Sequence, residues 1–87
     1  MKYFKIFAWS ECPFCIKAKA ALLEKGCEFE YVVLDHAPER LKHYKAIYNM
    51  RTVPIVLMVD KDLDIEETIG GYTDLAEFLG GGTGEDT

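Results

Sequence analysis

Two rhythms alternate along the chain, a short apolar one that suits strands and a longer one that suits helices. Tyr3 to Ala8 and Phe29 to Leu34 are dense in aromatic and β-branched residues over strand-like lengths. Between them Cys15, Ala18 and Leu22 fall on one helical face. Pro13 suits the first helical position, where its missing N–H costs nothing, and Gly26 suits a left-handed terminator. The spacing therefore predicts a helix that starts at Cys12 or Pro13 and stops at Gly26, closing a βαβ unit. A second helix is predicted after Pro38, with Leu41, Tyr44 and Tyr48 as its apolar stripe and Asn49 at its end. The unbroken run IVLMVD after Pro54 reads as a strand buried on both faces, and DKDLD as the turn that follows. Ile65 to Ile69 reads as a weaker edge strand. After Gly70 and Gly71 a short helix is expected from Asp74 to Leu79. The expected order is β-α-β-α-β-β-α, a single α/β domain over residues 1–79, with GGGTGEDT, residues 80–87, as a flexible tail.

Composition narrows the class. Eighty-seven residues, 49% hydrophobic and 29% charged, suffice for one small core and leave no room for a second domain. Lys5 interrupts the opening apolar stretch and no small-residue cleavage site follows, so no signal peptide is expected; nor does any run reach membrane-spanning length. A cytoplasmic protein is the expectation. A net charge of -5 argues against nucleic acid as a partner, because neutralising phosphates needs a basic surface. The charge is uneven: residues 1–54 carry nine of the ten Lys and Arg against six acids, and residues 55–87 one base against nine acids. That asymmetry alone reads as solvated surface.

The candidate chemistry lies in WSECPFCIKAK, Trp9 to Lys19, where Cys12 and Cys15 stand three apart at the predicted helix start. Such a pair serves a metal site, a structural crosslink or a redox-cycling dithiol. In a reducing compartment the crosslink falls first. Tetrahedral zinc wants four ligands, and beyond the pair the chain offers only Cys27, His36 and His43 at a spacing that matches no common finger, so no metal is expected. Cys27 reads as a small apolar residue entering the second strand, and both histidines as surface residues. The dithiol reading has a direct physical basis. The first N–H groups of a helix lack intrahelical partners, so a sulfur at the cap can accept them as an anion. Cys12 is the expected nucleophile, helped by Lys17 and Lys19 and opposed by Glu11. Cys15, nearly one turn along the same face, is placed to attack a mixed disulfide on Cys12. Pro13 removes one N–H and stiffens the turn.

Three motifs together carry a family resemblance: C-P-F-C, Thr52-Val53-Pro54 ahead of a buried strand, and Gly70-Gly71-Tyr72-Thr73-Asp74 opening the last helix. In this order and spacing, over residues 2 to about 79, the chain resembles the glutaredoxins. The resemblance implies a thioredoxin-like fold, a four-stranded mixed sheet with helices on both faces, and glutathione as the reducing cosubstrate. It implies catalysis by Cys12 and Cys15, supported by Pro13, Phe14, Lys17 and Pro54. It further implies a glutathione site formed by Arg51, Thr52, Val53, Gly71, Tyr72, Thr73 and Asp74. In that reading Val53-Pro54 is cis and leaves the Val53 backbone facing the cysteines to pair with an extended peptide. Arg51 takes the glycyl carboxylate, and the Thr73 and Asp74 N–H groups take the γ-glutamyl carboxylate, with the Asp74 side chain facing the ammonium. On their own, Thr73 and Asp74 read as helix caps and Gly70-Gly71 as a turn. Trp9 stands where several members have a basic residue.

The resemblance points to a monomer that reduces protein disulfides and protein-glutathione mixed disulfides, with ribonucleotide reductase among the clients the family suggests. A thioredoxin-type protein recycled by a reductase competes with it, but the chain lacks W-C-G-P-C and has GGYTD. The other competitor is a dimer holding a [2Fe-2S] cluster through one cysteine per subunit and glutathione thiols, which the proline of C-P-F-C disfavours.

Overall fold

The computed structural model describes residues 1–80; residues 81–87, most of the expected tail, lie outside the described residues. The elements are β1 (Lys2–Ala8), α1 (Pro13–Glu24), β2 (Phe29–Val33), α2 (Pro38–Ile47), β3 (Ile55–Asp60), β4 (Ile65–Gly70) and α3 (Tyr72–Gly80). One sheet runs in the order β2-β1-β3-β4. β1 and β2 are parallel, whereas β1 with β3 and β3 with β4 are antiparallel, so the sheet is mixed.

Alternation along the central strands divides the core in two. Phe4, Ile6 and Ala8 of β1 join Val56 of β3 on one face, where Cys15, Ala18 and Leu22 of α1 and Leu75 of α3 pack against them. Phe7, Ile55 and Leu57 point to the other face, under Leu41 and half-buried Tyr44 of α2. There the Phe7 and Tyr44 rings stack with centroids 4.2 Å apart. Each fully buried aliphatic side chain removes enough apolar surface to contribute about 1.5–3 kcal/mol, so the two clusters clamp α1 and α3 to one side of the sheet and α2 to the other.

The helix ends follow from local chemistry. Gly26 takes φ 70, its N–H reaches the Leu23 carbonyl and the Cys27 N–H reaches the Leu22 carbonyl, a double closure that turns the chain from α1 into β2. The same closure recurs after α2: Asn49 takes φ 55, with its N–H on Ala46 and the Met50 N–H on Lys45. Asparagine tolerates this left-handed conformation better than most residues. In the DKDLD turn, the Asp60 carboxylate accepts the N–H groups of Asp62 and Leu63.

Two expectations need correction. β3 is fully buried only from Ile55 to Leu57; Met58, Val59 and Asp60 are half-buried, Met58 still packing against the cluster that holds Leu75. And α3 begins at Tyr72 rather than Asp74. Asp74 occupies the third helical position and reaches back, its Oδ2 accepting the Gly71 N–H at 3.0 Å. A carboxylate three residues into a helix caps as the reciprocal half of a capping box, so an Asp there marks a start that lies earlier in the chain.

Candidate active site

Because β1 and β2 are parallel and β3 runs against them, the C-terminal ends of β1, β2 and β4 and the N-terminal end of β3 share one edge of the sheet. The loops at that edge carry Trp9–Cys12, Leu34–Ala37, Arg51–Pro54 and Gly71. Open α/β sheets collect their ligand sites at such an edge.

Cys12 is the N-cap of α1, with φ -103 and ψ 114, and its Sγ accepts the Cys15 N–H at 3.2 Å. Its side chain faces the Val53 carbonyl at 3.9 Å, at the cis Val53-Pro54 bond. Cys12 is half-buried, whereas Cys15 is fully buried. Burial first, and then its hydrogen bond to Cys12, pushes the Cys15 thiol up to about 12; a hydrogen bond with the Trp9 backbone lowers it in part, and the charge at Cys12 adds a last, smaller push upward. One sulfur is thus accessible and the other keeps its proton. The half-buried Tyr31 hydroxyl, on β2, is also raised, mainly by desolvation and then by the two cysteines.

An open groove of about 280 Å³ adjoins Val53, the residue that the Cys12 sulfur faces, although Cys12 does not itself line it. Its rim is Phe14 and Tyr72, whose rings stand 6.1 Å apart; Thr52, Val53 and Pro54 form one wall and Gly71, Thr73 and Asp74 the other. Met50, which sequence reasoning did not single out, lines it too. Three residues are placed differently. Lys17 Nζ sits 5.3 Å from the centroid of the Phe14 ring, and Lys19 Nζ 5.0 Å from that of Tyr31, so both ammonium groups are engaged over aromatic faces. Arg51 is exposed in the loop before β3 and is not among the groove's lining residues.

The glycines divide their labour. A Cβ at Gly71 would lie 3.9 Å from the Pro54 carbonyl, an ordinary contact. At Gly70, φ is +125 and a Cβ would come within 2.3 Å of Asp74 Oδ2. The tight position is therefore the one against the capping carboxylate.

Sequence reasoning also missed a polar junction on the opposite side of Cys12. The Ser10 N–H donates to Asp35 Oδ1 at 3.0 Å, and Ser10 Oγ donates to Asp35 Oδ2. These bonds hold the Asp35 carboxyl below the usual range, the hydroxyl first and the N–H second. The available signal was a serine two residues before the first cysteine and an aspartate just past the second strand. Only the pairing of two parallel strand ends brings them together.

A glutaredoxin family profile matches residues 4–69. A probable glutaredoxin from Synechocystis is 34% identical over 79 residues, covering 90% of this chain and 83% of that protein. A hybrid peroxiredoxin from Haemophilus influenzae is 37% identical over 74 residues, 85% of this chain but only 28% of that protein's length. Among solved structures, glutaredoxin 1 from Francisella tularensis, crystallised with cacodylate, superposes with a TM-score of 0.71 at 27% identity over 91% of this chain and 93% of that one. With the fold, the paired cysteines at a helix start and these matches in agreement, the chain belongs to the glutaredoxin family of glutathione-dependent thiol-disulfide oxidoreductases.

Proposed function

We propose that this protein reduces protein-glutathione mixed disulfides and protein disulfides through a C-P-F-C dithiol, with Cys12 attacking and Cys15 resolving. The observation that carries the reading is the Cys12 sulfur at the helix cap, receiving the Cys15 N–H beside an open groove, with Cys15 buried behind it. With a glutathionylated client, the Cys12 thiolate attacks the glutathione sulfur. The Cys12–glutathione disulfide forms, the client–glutathione disulfide breaks, and the client leaves as a thiolate that takes a proton. A second glutathione, as thiolate, then attacks that intermediate, releasing glutathione disulfide and restoring Cys12. With a client disulfide, Cys12 forms a mixed disulfide with one client sulfur and releases the other as a thiol. Cys15 then loses its proton, bonds to Cys12 and frees the client.

In this reading the groove takes glutathione extended along the Val53 backbone. The free N–H groups in the first turn of α3 receive the γ-glutamyl carboxylate. Asp74 spends one oxygen on Gly71 and keeps the other for the ammonium. Arg51, on its exposed loop, reaches the glycyl carboxylate. Residues 1–79 form the catalytic unit. The test is turnover of a small glutathione mixed disulfide coupled to glutathione reductase and NADPH; activity through thioredoxin reductase instead would overturn the proposal. The likeness to part of a hybrid peroxiredoxin favours one client class, an oxidised peroxiredoxin. Peroxide consumption by a peroxiredoxin should become glutathione-dependent when this protein is added.

A further inference from the structure

We infer that Asp35 is a positioning residue for Cys12: through Ser10 it fixes the short loop that delivers the attacking sulfur to its N–H donor and to the groove. The loop runs from the end of β1 at Ala8 to the cap at Cys12. Trp9, Ser10 and Glu11 are all exposed, Trp9 at 49%, so apolar burial cannot hold them. An open surface hollow of about 250 Å³ is lined by Trp9, Ser10, Glu11 and Asp35. What spans it is the Asp35 carboxylate, which takes both the N–H and the hydroxyl of Ser10.

The anchor itself stands on rigid ground. Asp35 follows Leu34, which is buried and donates its N–H to the Ala8 carbonyl at 2.9 Å. Ala8 and Val33 are register partners of the parallel β1–β2 ladder. The carboxylate thus ties the loop to the strand neighbouring the one it leaves, two residues ahead of Cys12. Charge-assisted hydrogen bonds are directional, and a pair from one carboxylate to adjacent donors fixes orientation as well as distance. Releasing Ser10 would leave Cys12 held from its helical side, where the 3.2 Å contact from the Cys15 N–H depends on the cap's backbone angles, and by the long 3.9 Å approach of its sulfur to the Val53 carbonyl.

The inference rests on the proposed role of Cys12 as nucleophile, so two readouts are used: coupled turnover of the small glutathione mixed disulfide, and the rate of Cys12 alkylation by iodoacetamide against pH in a Cys15→Ser, Cys27→Ser background. The ionisable groups around Cys12 and Asp35 are Glu11 in the loop, Cys15 and Lys19 on α1, the latter over the Tyr31 ring, Tyr31 on β2, and His36 beside Asp35. Asp35→Ala should lower kcat/KM about five- to tenfold, as expected for loss of a solvent-exposed hydrogen-bond partner, and move the alkylation midpoint to higher pH as the loop loosens. Asp35→Asn, which keeps an acceptor for Ser10 but no charge, should stay within about twofold of the parent. A purely electrostatic role predicts the reverse pattern: both variants would shift the midpoint down together, because each removes a negative charge near a thiolate. Ser10→Ala combined with Asp35→Ala should cost no more than Asp35→Ala alone, since the two act through one contact. Equal effects of Asp35→Ala and Asp35→Asn, a downward midpoint, or additive losses with Ser10→Ala would each overturn the assignment. If the parent turns over no glutathione mixed disulfide, the functional proposal fails, and the alkylation profile still decides the role of Asp35.

Discussion

At the scale of single residues, the two cysteines differ in depth more than in type. Cys12 is half-buried at a helix cap, and Cys15 is buried with its thiol pushed up to about 12 by desolvation. A glutathione mixed disulfide needs one attacking thiolate, whereas a client disulfide needs a resolving thiol at the high effective concentration that one helical turn provides. Cys15→Ser should therefore keep most deglutathionylation and lose most dithiol-dependent reduction, while Cys12→Ser loses both; equal loss of both activities in Cys15→Ser would reverse the assignment. The buried thiol also predicts a pH dependence of folding. Its folded value lies above its unfolded one, so the associated stability is whole below pH 9 and drains away as pH rises from there towards 12. Urea midpoints measured at pH 8 and pH 10.5 should fall further for the parent than for Cys15→Ser, in which this titration is gone. Arg51→Ala should raise the apparent KM for glutathione severalfold with an unchanged melting temperature, since the side chain is exposed. The pair, the cis proline and the Gly71–Asp74 segment were legible as motifs because each is contiguous in sequence. Ser10 with Asp35 was not, being a contact across 25 positions that exists only once two strands align.

At the scale of elements, dense apolar runs, helical spacing and the proline and glycine punctuation between them located each strand and helix among the described residues, because strands and helices differ in length and in the spacing of their buried positions. These signals failed at the start of α3. Thr73 and Asp74 both look like caps, and only the backbone shows Asp74 already inside the helix, closing on Gly71. That closure makes Gly70 the sensitive residue of the segment. Gly70→Ala would force the Asp74 carboxylate off its N–H and add a Cβ at φ +125. Losing the cap costs about 1 kcal/mol, with a further penalty of about 1 kcal/mol or more for a side chain in that conformation. Gly71→Ala meets only an ordinary contact and should cost markedly less by chemical denaturation; equal losses would mean that the cap is not the constraint. Leu75, fully buried beneath α3, anchors the same helix to the sheet face shared with Cys15. Leu75→Ala should cost about 2–5 kcal/mol and disturb the groove wall formed by Gly71, Thr73 and Asp74.

At the scale of the whole molecule, the sheet is a platform whose stability is graded away from its centre. β1 and β3 are paired on both sides, and their inner residues Ile6, Ile55, Val56 and Leu57 are completely buried; β2 and β4 are edges. The loops that meet at the working edge are instead mostly exposed, with Trp9, Ser10, Glu11, Arg51 and Thr52 all open to solvent. This arrangement suits disulfide exchange: the nucleophile must approach a foreign sulfur closely, which calls for an uncovered loop, yet its direction must not wander, which calls for a rigid base. The edge could be anticipated from the order of elements but not from composition, because it depends on β3 entering antiparallel beside β1. Local opening free energies should follow the same gradient, from near zero in exposed loops to the full unfolding free energy in the central strands. Native-state hydrogen exchange should find the amides of Ile6, Val56 and Leu57 exchanging only through global unfolding, and those of Glu11 and Thr52 exchanging fastest. The Ser10 amide, bonded to Asp35, should stand out as slower than its neighbours in the loop. Protection of Glu11 and Thr52 equal to that of β3 would show the working edge to be as rigid as the core and would remove the basis for this division between platform and loops.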